Sequence, residues 1–346
     1  MPAHQPIKVS ILGTPDTSPS VLFGLYDVLS SVGVGWETFV SDEIAVPRFD
    51  VQIVAVEDKP FTCKGSGGSA LISPNTSTEN AIDTDIAILA SFVPNDTVSL
   101  RDHDQRELDW ISRLRDRGSV LSSMCTSTAL LAETGVLNGL EATTFWAYRD
   151  LVKIRYPEVE WRVDQNLCVA GDDGRIVTAG GSTVWQELVL YLITRFCGTE
   201  QAVNAAKLWV IPNRDMSQAP FSVKTHLALH GDKIIHECQA WVGEHYSHPN
   251  PIAGMIQRAG LPSTTFSRRF KQATGDRPMD YVHMIRIEKA KKELETGNET
   301  IEQIGIEVGY EDPASFRRMF KRKVGLTPSI YRRRFSHSTF DRFNLA

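Results

Sequence analysis

The sequence contains no apolar run near the roughly 18–20 residues that a membrane-spanning helix needs, so a spanning helix is excluded. Its five cysteines, at 63, 125, 168, 197 and 238, are scattered and never spaced as CxxC. That usage excludes a disulfide framework and a cysteine zinc site, and it predicts a reducing, cytoplasmic setting. The opening Met1-Pro-Ala-His-Gln-Pro has no basic stretch leading into an apolar one, so no secretory leader is expected. Lys64-Gly-Ser-Gly-Gly-Ser69 lacks the Gly-Lys-Ser/Thr ending of a phosphate loop and reads as a flexible loop. Five of the nine histidines fall between 226 and 248, with His226 and His230 four apart. A third ligand and the glutamate of HExxH are missing, so no metal is expected there, and no cofactor elsewhere.

What is present is ordinary globular composition over two domains' worth of chain: 346 residues, 42% hydrophobic and 23% charged. The net charge of −5 hides an asymmetry. Residues 241–346 carry 18 Lys and Arg against 12 Asp and Glu, a charge of +6; residues 1–240 carry 19 against 30, a charge of −11. A basic C-terminal third on an acidic body points to two domains, one of them suited to a polyanion.

That basic third contains a repeat. FSRRFKQATGDRPMDY (266–281) and FRRMFKRKVGLTPSIY (316–331) match at Phe266/Phe316, Arg268/Arg318, Phe270/Phe320, Lys271/Lys321, Gly275/Gly325, Pro278/Pro328 and Tyr281/Tyr331. One supersecondary unit is used twice. In the first copy Ile252, Ile256 and Ala259 have helical spacing and Gly260 ends the helix; Ser263 is read as the N-cap of the next. In the second, Ile301, Ile304 and Val308 form a helix ended by Gly309, and Asp312 caps a helix with Pro313 at its first position. Helix, glycine turn, helix is the helix-turn-helix pattern.

With Phe266, Phe270, Phe316 and Phe320 turned inward, Thr264, Thr265, Arg268, Lys271 and Gln272 must face out in the first copy. In the second, Ala314, Ser315, Arg317, Arg318, Lys321 and Arg322 do. Early-turn residues of such a helix meet base edges; Lys271, Lys321, Arg322 and Lys323 suit phosphate. Residues 280–295 between the copies read as a helical spacer of roughly 24 Å, against about 34 Å for one turn of duplex.

The region 232–335 resembles the AraC-family DNA-binding domain. The resemblance rests on Ile301, Ile304, Val308, Gly309 and Tyr310, then Phe316, Phe320 and Lys321, then Gly325, Thr327, Pro328, Tyr331 and Arg332. It implies a transcription regulator with two helix-turn-helix units per chain. Gly305 stands where that family usually has alanine, which predicts a slightly weaker helix.

The acidic body alternates strands and helices. Residues 7–12 and 36–40, Ile86–Ala90 and Ser119–Ser123 are strand candidates; 20–31, 104–117 and 128–132 are helix candidates. The expected fold is α/β and flavodoxin-like, a mostly parallel sheet sandwiched by helices, followed by the all-α domain. Cys125 stands where a strand passes sharply into a helix, a place that exposes a side chain and lowers a thiol pKa.

Residues 5–221 resemble the class I glutamine-amidotransferase-like domain in its PfpI-like form, which precedes an AraC domain in regulators of the GlxA type. Cys125-Thr126-Ser127, Leu131-Ala132, Gly135-Val136-Leu137, Gly139 and Thr144-Phe145-Trp146 carry the likeness. Thr178-Ala179-Gly180-Gly181 and Asn213-Arg214-Asp215-Met216-Ser217-Gln218 match the family's closing segments. The family's histidine position is Phe145 here and its early acidic position is Val21, while Asp27 is badly placed for a thiol partner. A thiol without an adjacent base does not hydrolyse, so no catalytic residue is expected. Cys125, Thr126, Phe145 and Trp146 are the candidate lining of a ligand pocket at the strand ends, where Trp146 offers a cation–π face to a nitrogen-containing effector.

The resulting expectation is a non-enzymatic, homodimeric regulator. Residues 1–212 form a sensor and dimerisation domain, 213–231 a linker, 232–335 the DNA-binding domain and 336–346 a tail. Its DNA-reading residues are Thr264, Thr265, Arg268, Lys271, Ser315, Arg317, Arg318, Lys321 and Arg322. The expected partners are double-stranded DNA, a small-molecule effector, a second copy and RNA polymerase, with no membrane. The competing reading is a thiol-nucleophile amidase or hydratase with an accessory DNA-binding domain.

Overall fold

The computed structural model describes residues 5–41, 44–65, 68–92, 103–212, 217–223 and 230–339, the last without 338. The chain divides into two compact units, Met1–Gln218 and Ala219–Ala346. Among the described residues no helix is long and apolar enough to cross a membrane.

The first unit runs β1 (Ile7–Leu12), α1 (Pro19–Ser30), α2 (Gly35–Phe39), β2 (Phe49–Ala55), β3 (Phe61–Gly65), β4 (Gly68–Ile72), β5 (Thr76–Ser77), β6 (Ile86–Leu89) and α3 (Gln105–Asp116). It continues with β7 (Val120–Met124), α4 (Thr128–Glu133), β8 (Glu141–Ala142), α5 (Arg149–Arg155), β9 (Glu160–Trp161), β10 (Leu167–Ala170), β11 (Ile176–Ala179), α6 (Trp185–Cys197) and α7 (Thr199–Leu208). The main sheet has the order β10-β11-β7-β6-β1-β2-β5; every pairing is parallel except β10 with β11.

Strand alternation explains why both faces are covered. In β6, Ile86 and Ile88 join one core with Val9, Ile11 and the α1 residues Leu22, Leu25 and Leu29. Ala87 and Leu89 join the other with Trp110, Ile111 and Leu114 of α3. A four-residue run buried on both sides is what a central parallel strand requires.

Two local expectations are corrected. Residues 36–40 are not a strand: they fall mostly in α2, and Trp36, Phe39 and Val40 have the i, i+3, i+4 spacing of a helix face. The strand after α1 is β2, which pairs in parallel with β1 from Ile7↔Phe49 onward. Of the run 64–69, read as a flexible loop, Lys64 and Gly65 end β3 and pair with Ser69 and Gly68 of β4; Ser66 and Gly67 lie outside the described residues.

The second unit is helical: α8 (Lys233–His245), α9 (Pro251–Ala259), α10 (Ser263–Thr274), α11 (Pro278–Thr296), α12 (Ile301–Glu307), α13 (Pro313–Val324) and α14 (Pro328–Phe335). Gly260, Gly275 and Gly325 close α9, α10 and α13 in the left-handed conformation that lacks a penalty only for glycine. Asp312 caps α13 by accepting the Ser315 N–H at 2.9 Å. Ser263 is the first helical residue of α10, and Pro262 holds the cap position without a side-chain bond. Two cores result. One gathers Phe266, Phe270, Tyr281, Val282 and Ile285; the other gathers Phe316, Phe320, Tyr331, Ala290 and Leu294.

Candidate nucleic-acid interface and candidate ligand site

The repeat seen in the sequence is a repeat of ring geometry. Phe266 and Phe270 have centroids 5.5 Å apart, and Tyr281 meets Phe270 edge-on at 5.3 Å and 71°. Phe316 and Phe320 stand 5.7 Å apart, and Tyr331 meets Phe320 at 5.5 Å and 77°. All four phenylalanines have no exposed surface. Each triad nails an outer helix, α10 or α13, to the helix that follows it, which fixes which side chains remain outside.

Those side chains are the ones the helical spacing predicts. Thr264, Arg268 and Lys271 are exposed on α10 and Thr265 is half-buried; Arg317, Arg318, Lys321 and Arg322 are exposed on α13 and Ser315 is half-buried. Arg318 donates to the Ser315 hydroxyl at 3.0 Å, so the two present one polar spot. Arg317 is ion-paired with Glu302 of α12, an engagement no spacing argument reveals. On α10, Arg269 forks onto Asp232 at 2.6 and 3.0 Å and holds that carboxyl below its usual range. A cleft of about 550 Å³ beside α10 is lined by His230, Asp232, Thr265, Arg268, Arg269 and Gln272.

Of the spaced histidine pair, His226 lies outside the described residues. His230 accepts the Asp232 N–H on Nδ1 at 3.2 Å, and its Nε2 lies 2.8 Å from Gln239 Oε1, to which it donates. Arg286, unremarked in the spacer, is 6% exposed and donates to the Tyr246 and His248 carbonyls at 2.8 and 3.0 Å. Gly305 is no defect in α12: a Cβ there would stand 2.9 Å from the Phe316 ring, so its bare backbone lets α13 pack close.

In the first unit the elbow is real. Cys125 follows β7 with φ +55°, a left-handed backbone rare for a side-chain-bearing residue. Hydroxyls pin it down: Thr126 donates to the Phe92 carbonyl at 2.6 Å, Ser127 to Leu89 at 2.6 Å and Thr144 to the Cys125 carbonyl at 2.7 Å. The expected drop in thiol pKa does not occur. Cys125 is buried, and desolvation pushes its thiol up to about 12 against the opposing pull of the Thr126 amide and hydroxyl.

Thr126 is buried with Cys125, whereas Phe145 and Trp146 are half-buried, their rings 5.1 Å apart. Val21 is a core residue of α1 and Asp27 is exposed, so neither offers the thiol a base. A cleft of about 870 Å³ elsewhere in this unit has Glu57, Lys59, Thr78, Arg106, Asp109 and Arg113 in its wall, and none of Cys125, Thr126, Phe145 and Trp146 lines it. Gln218, matched in the sequence only as part of a closing segment, is a buried side chain in this unit.

Comparison with known proteins agrees with both halves. Residues 27–195 match the DJ-1/PfpI family and residues 255–334 a helix-turn-helix domain. The chain is 26% identical over 249 residues to the HTH-type transcriptional regulator CdhR of Pseudomonas aeruginosa, covering 70% of each chain. It is 23% identical over 232 residues to the HTH-type transcriptional regulator GlxA of Rhizobium meliloti, covering 65% of this chain and 68% of that one. Over 102 residues it is 33% identical to the regulatory protein SoxS of Escherichia coli strain K12, covering 30% of this chain and 95% of SoxS.

Proposed function

Because this chain belongs to the AraC family of DNA-binding transcription regulators, with a DJ-1/PfpI domain ahead of its helix-turn-helix domain, we propose that the N-terminal unit senses a small metabolite without transforming it. The observation that carries the reading is the Cys125 environment. The elbow geometry of a nucleophile is kept, while burial holds the thiol protonated and the family's histidine position is Phe145. What remains is a place to bind: Phe145 and Trp146 supply an aromatic wall at the strand ends, and Trp146 suits a cationic nitrogen compound.

The second unit reads DNA through two helices per chain. Thr264, Thr265 and Arg268 on α10, and Ser315, Arg317 and Arg318 on α13, meet bases or the phosphates beside them. Lys271, Lys321 and Arg322 supply the sequence-independent affinity. Arg317 does so only after giving up Glu302. The protein acts as a homodimer formed through the first unit. The metabolite works by favouring one arrangement of the reading helices, which requires a difference in affinity of about 1–3 kcal/mol between arrangements.

The test compares wild type with Cys125→Ala. Duplexes are selected from a random pool by the full-length protein, and binding is followed by fluorescence anisotropy at two salt concentrations. Equal duplex affinity for both proteins is expected. Amidase or hydratase turnover in the wild type that disappears in Cys125→Ala would establish the enzyme instead.

A further inference from the structure

Gly180-Gly181 and Ser217-Gln218 match family segments without any evident task in the sequence. Within the first unit they meet. Gln218 is 3% exposed, and its Oε1 accepts the Gly181 N–H at 2.9 Å, which fixes the orientation of the amide. Its Nε2 then faces the carbonyls of Thr144, Val163 and Gln165 at 2.9, 3.0 and 3.0 Å, and the Thr143 hydroxyl at 3.3 Å. A Cβ on Gly180 would stand 2.1 Å from Nε2, so the missing side chain of Gly180 is the hollow that the amide occupies. Thr144 is the residue whose hydroxyl holds the Cys125 carbonyl, and it directly precedes Phe145.

The residues that follow Gln218 belong to the second unit and are fastened there. Lys291 of α11, 4% exposed, donates to the Ser222 carbonyl at 2.6 Å and to Glu288 at 3.2 Å. Phe221 meets Phe335 edge-on at 5.4 Å, with the Arg334 guanidinium 5.5 Å over its ring. From Phe335 the rings continue without a break to Tyr331 at 4.6 Å and on to Phe320 at 5.5 Å, and Phe320 is the inner face of α13. Both ends of this short stretch are expensive to release. A buried amide and a buried ammonium each lose their partners when displaced. Only Ala219, Pro220 and Phe221 separate Gln218 from Ser222, and proline stiffens them.

We propose that residues 218–222 are a coupling strap: Gln218 reports the position of the Thr143–Thr144 bed beside the elbow, and Phe221 and Ser222 deliver that position to α11, α14 and the ring stack behind α13. The strap rests on the sensor reading above for its input, since a ligand against Phe145 acts on the adjacent Thr144. Its existence is testable without the ligand. Coupling is reciprocal, so duplex bound by the second unit must alter the Gln218 bed.

Hydrogen–deuterium exchange on the full-length protein, with and without a duplex selected from a random pool, reads this directly. In wild type, duplex is expected to change exchange of the peptides containing Thr143–Phe145 and Gly181 by about fivefold or more. Inserting Gly-Ser-Gly between Gln218 and Ala219 should abolish that change while leaving duplex affinity within about twofold of wild type. Lys291→Met, which frees the second-unit end, and Gly180→Ala, which expels the amide from the first unit, should do the same. No duplex-dependent change in wild type, or a change that survives the insertion, would overturn the strap. If the change is present and is lost on insertion, but no cationic nitrogen compound alters wild-type duplex affinity, the sensor reading fails and the strap stands.

Discussion

The two helix-turn-helix units share a scaffold and differ in the surface built on it. The ring triads behind α10 and α13 match within a few tenths of an ångström in spacing, and both outer helices end on left-handed glycines. Yet α10 is tied to Asp232 by Arg269 and shows Thr264, Arg268, Lys271 and Gln272, whereas α13 starts on a carboxylate cap and ends in Lys321, Arg322 and Lys323. The two copies share what holds the outer helix in place and differ in the side chains it shows. On the proposed reading, the α10 face suits hydrogen bonding as well as phosphate, and the α13 face leans further toward phosphate.

The comparison breaks hardest at the rings. Phe270→Ala and Phe320→Ala should each cost about 3–5 kcal/mol in urea unfolding of the full chain, because each empties a fully buried site. A large loss from one and little from the other would show that the scaffolds are not equivalent. Next come the faces. Arg268→Ala and Arg318→Ala should each weaken duplex binding by about 1–3 kcal/mol and relax preference at different base positions, read by selection from a random pool. Relaxation at the same position would mean that one helix does the reading.

Gly305→Ala sharpens the contrast within the scaffold. The added methyl meets the Phe316 ring at 2.9 Å, so overpacking of about 1–3 kcal/mol should outweigh a helix-propensity gain of about 1 kcal/mol, lowering the calorimetric Tm. A higher Tm would show that α13 simply moves aside. The smallest effect is that of acid on the Asp232–Arg269 fork. The guanidinium holds the Asp232 carboxyl below its ordinary value of about 3.9, so its contribution is full above that pH and is lost as pH falls below it. Asp232→Asn should remove this acid sensitivity from the first helix-turn-helix copy alone, seen as a flatter Tm profile below about pH 4.

Much of this was legible because it is local. The fifty-residue repeat, the inward phenylalanines, the Asp312-Pro313 helix start and the four-residue run of β6 are patterns of a few neighbouring residues. The 36–40 stretch misled because alternation and helical spacing cannot be told apart over five residues. The thiol shift ran opposite to expectation because desolvation in the folded core, which no local pattern reveals, outweighs the Thr126 amide and hydroxyl beside it. Gln218 could not be read at all, since most of its partners are backbone carbonyls and an amide some 40 to 75 positions away. The Glu302 partner of Arg317 lies on the preceding helix and was equally hidden.

α11 lends Tyr281, Val282 and Ile285 to one core and Ile287, Ala290 and Leu294 to the other along its 19 residues. A helix embedded at both ends holds α10 and α13 in register, so on the proposed reading the protein sets the phase between the two stretches of sequence they meet. One extra base pair between them would carry the second stretch about 3.4 Å further along the duplex and about a tenth of a turn around it. On the proposed reading of DNA by both helices, a single-nucleotide insertion between the two stretches is expected to weaken duplex binding, as measured by fluorescence anisotropy.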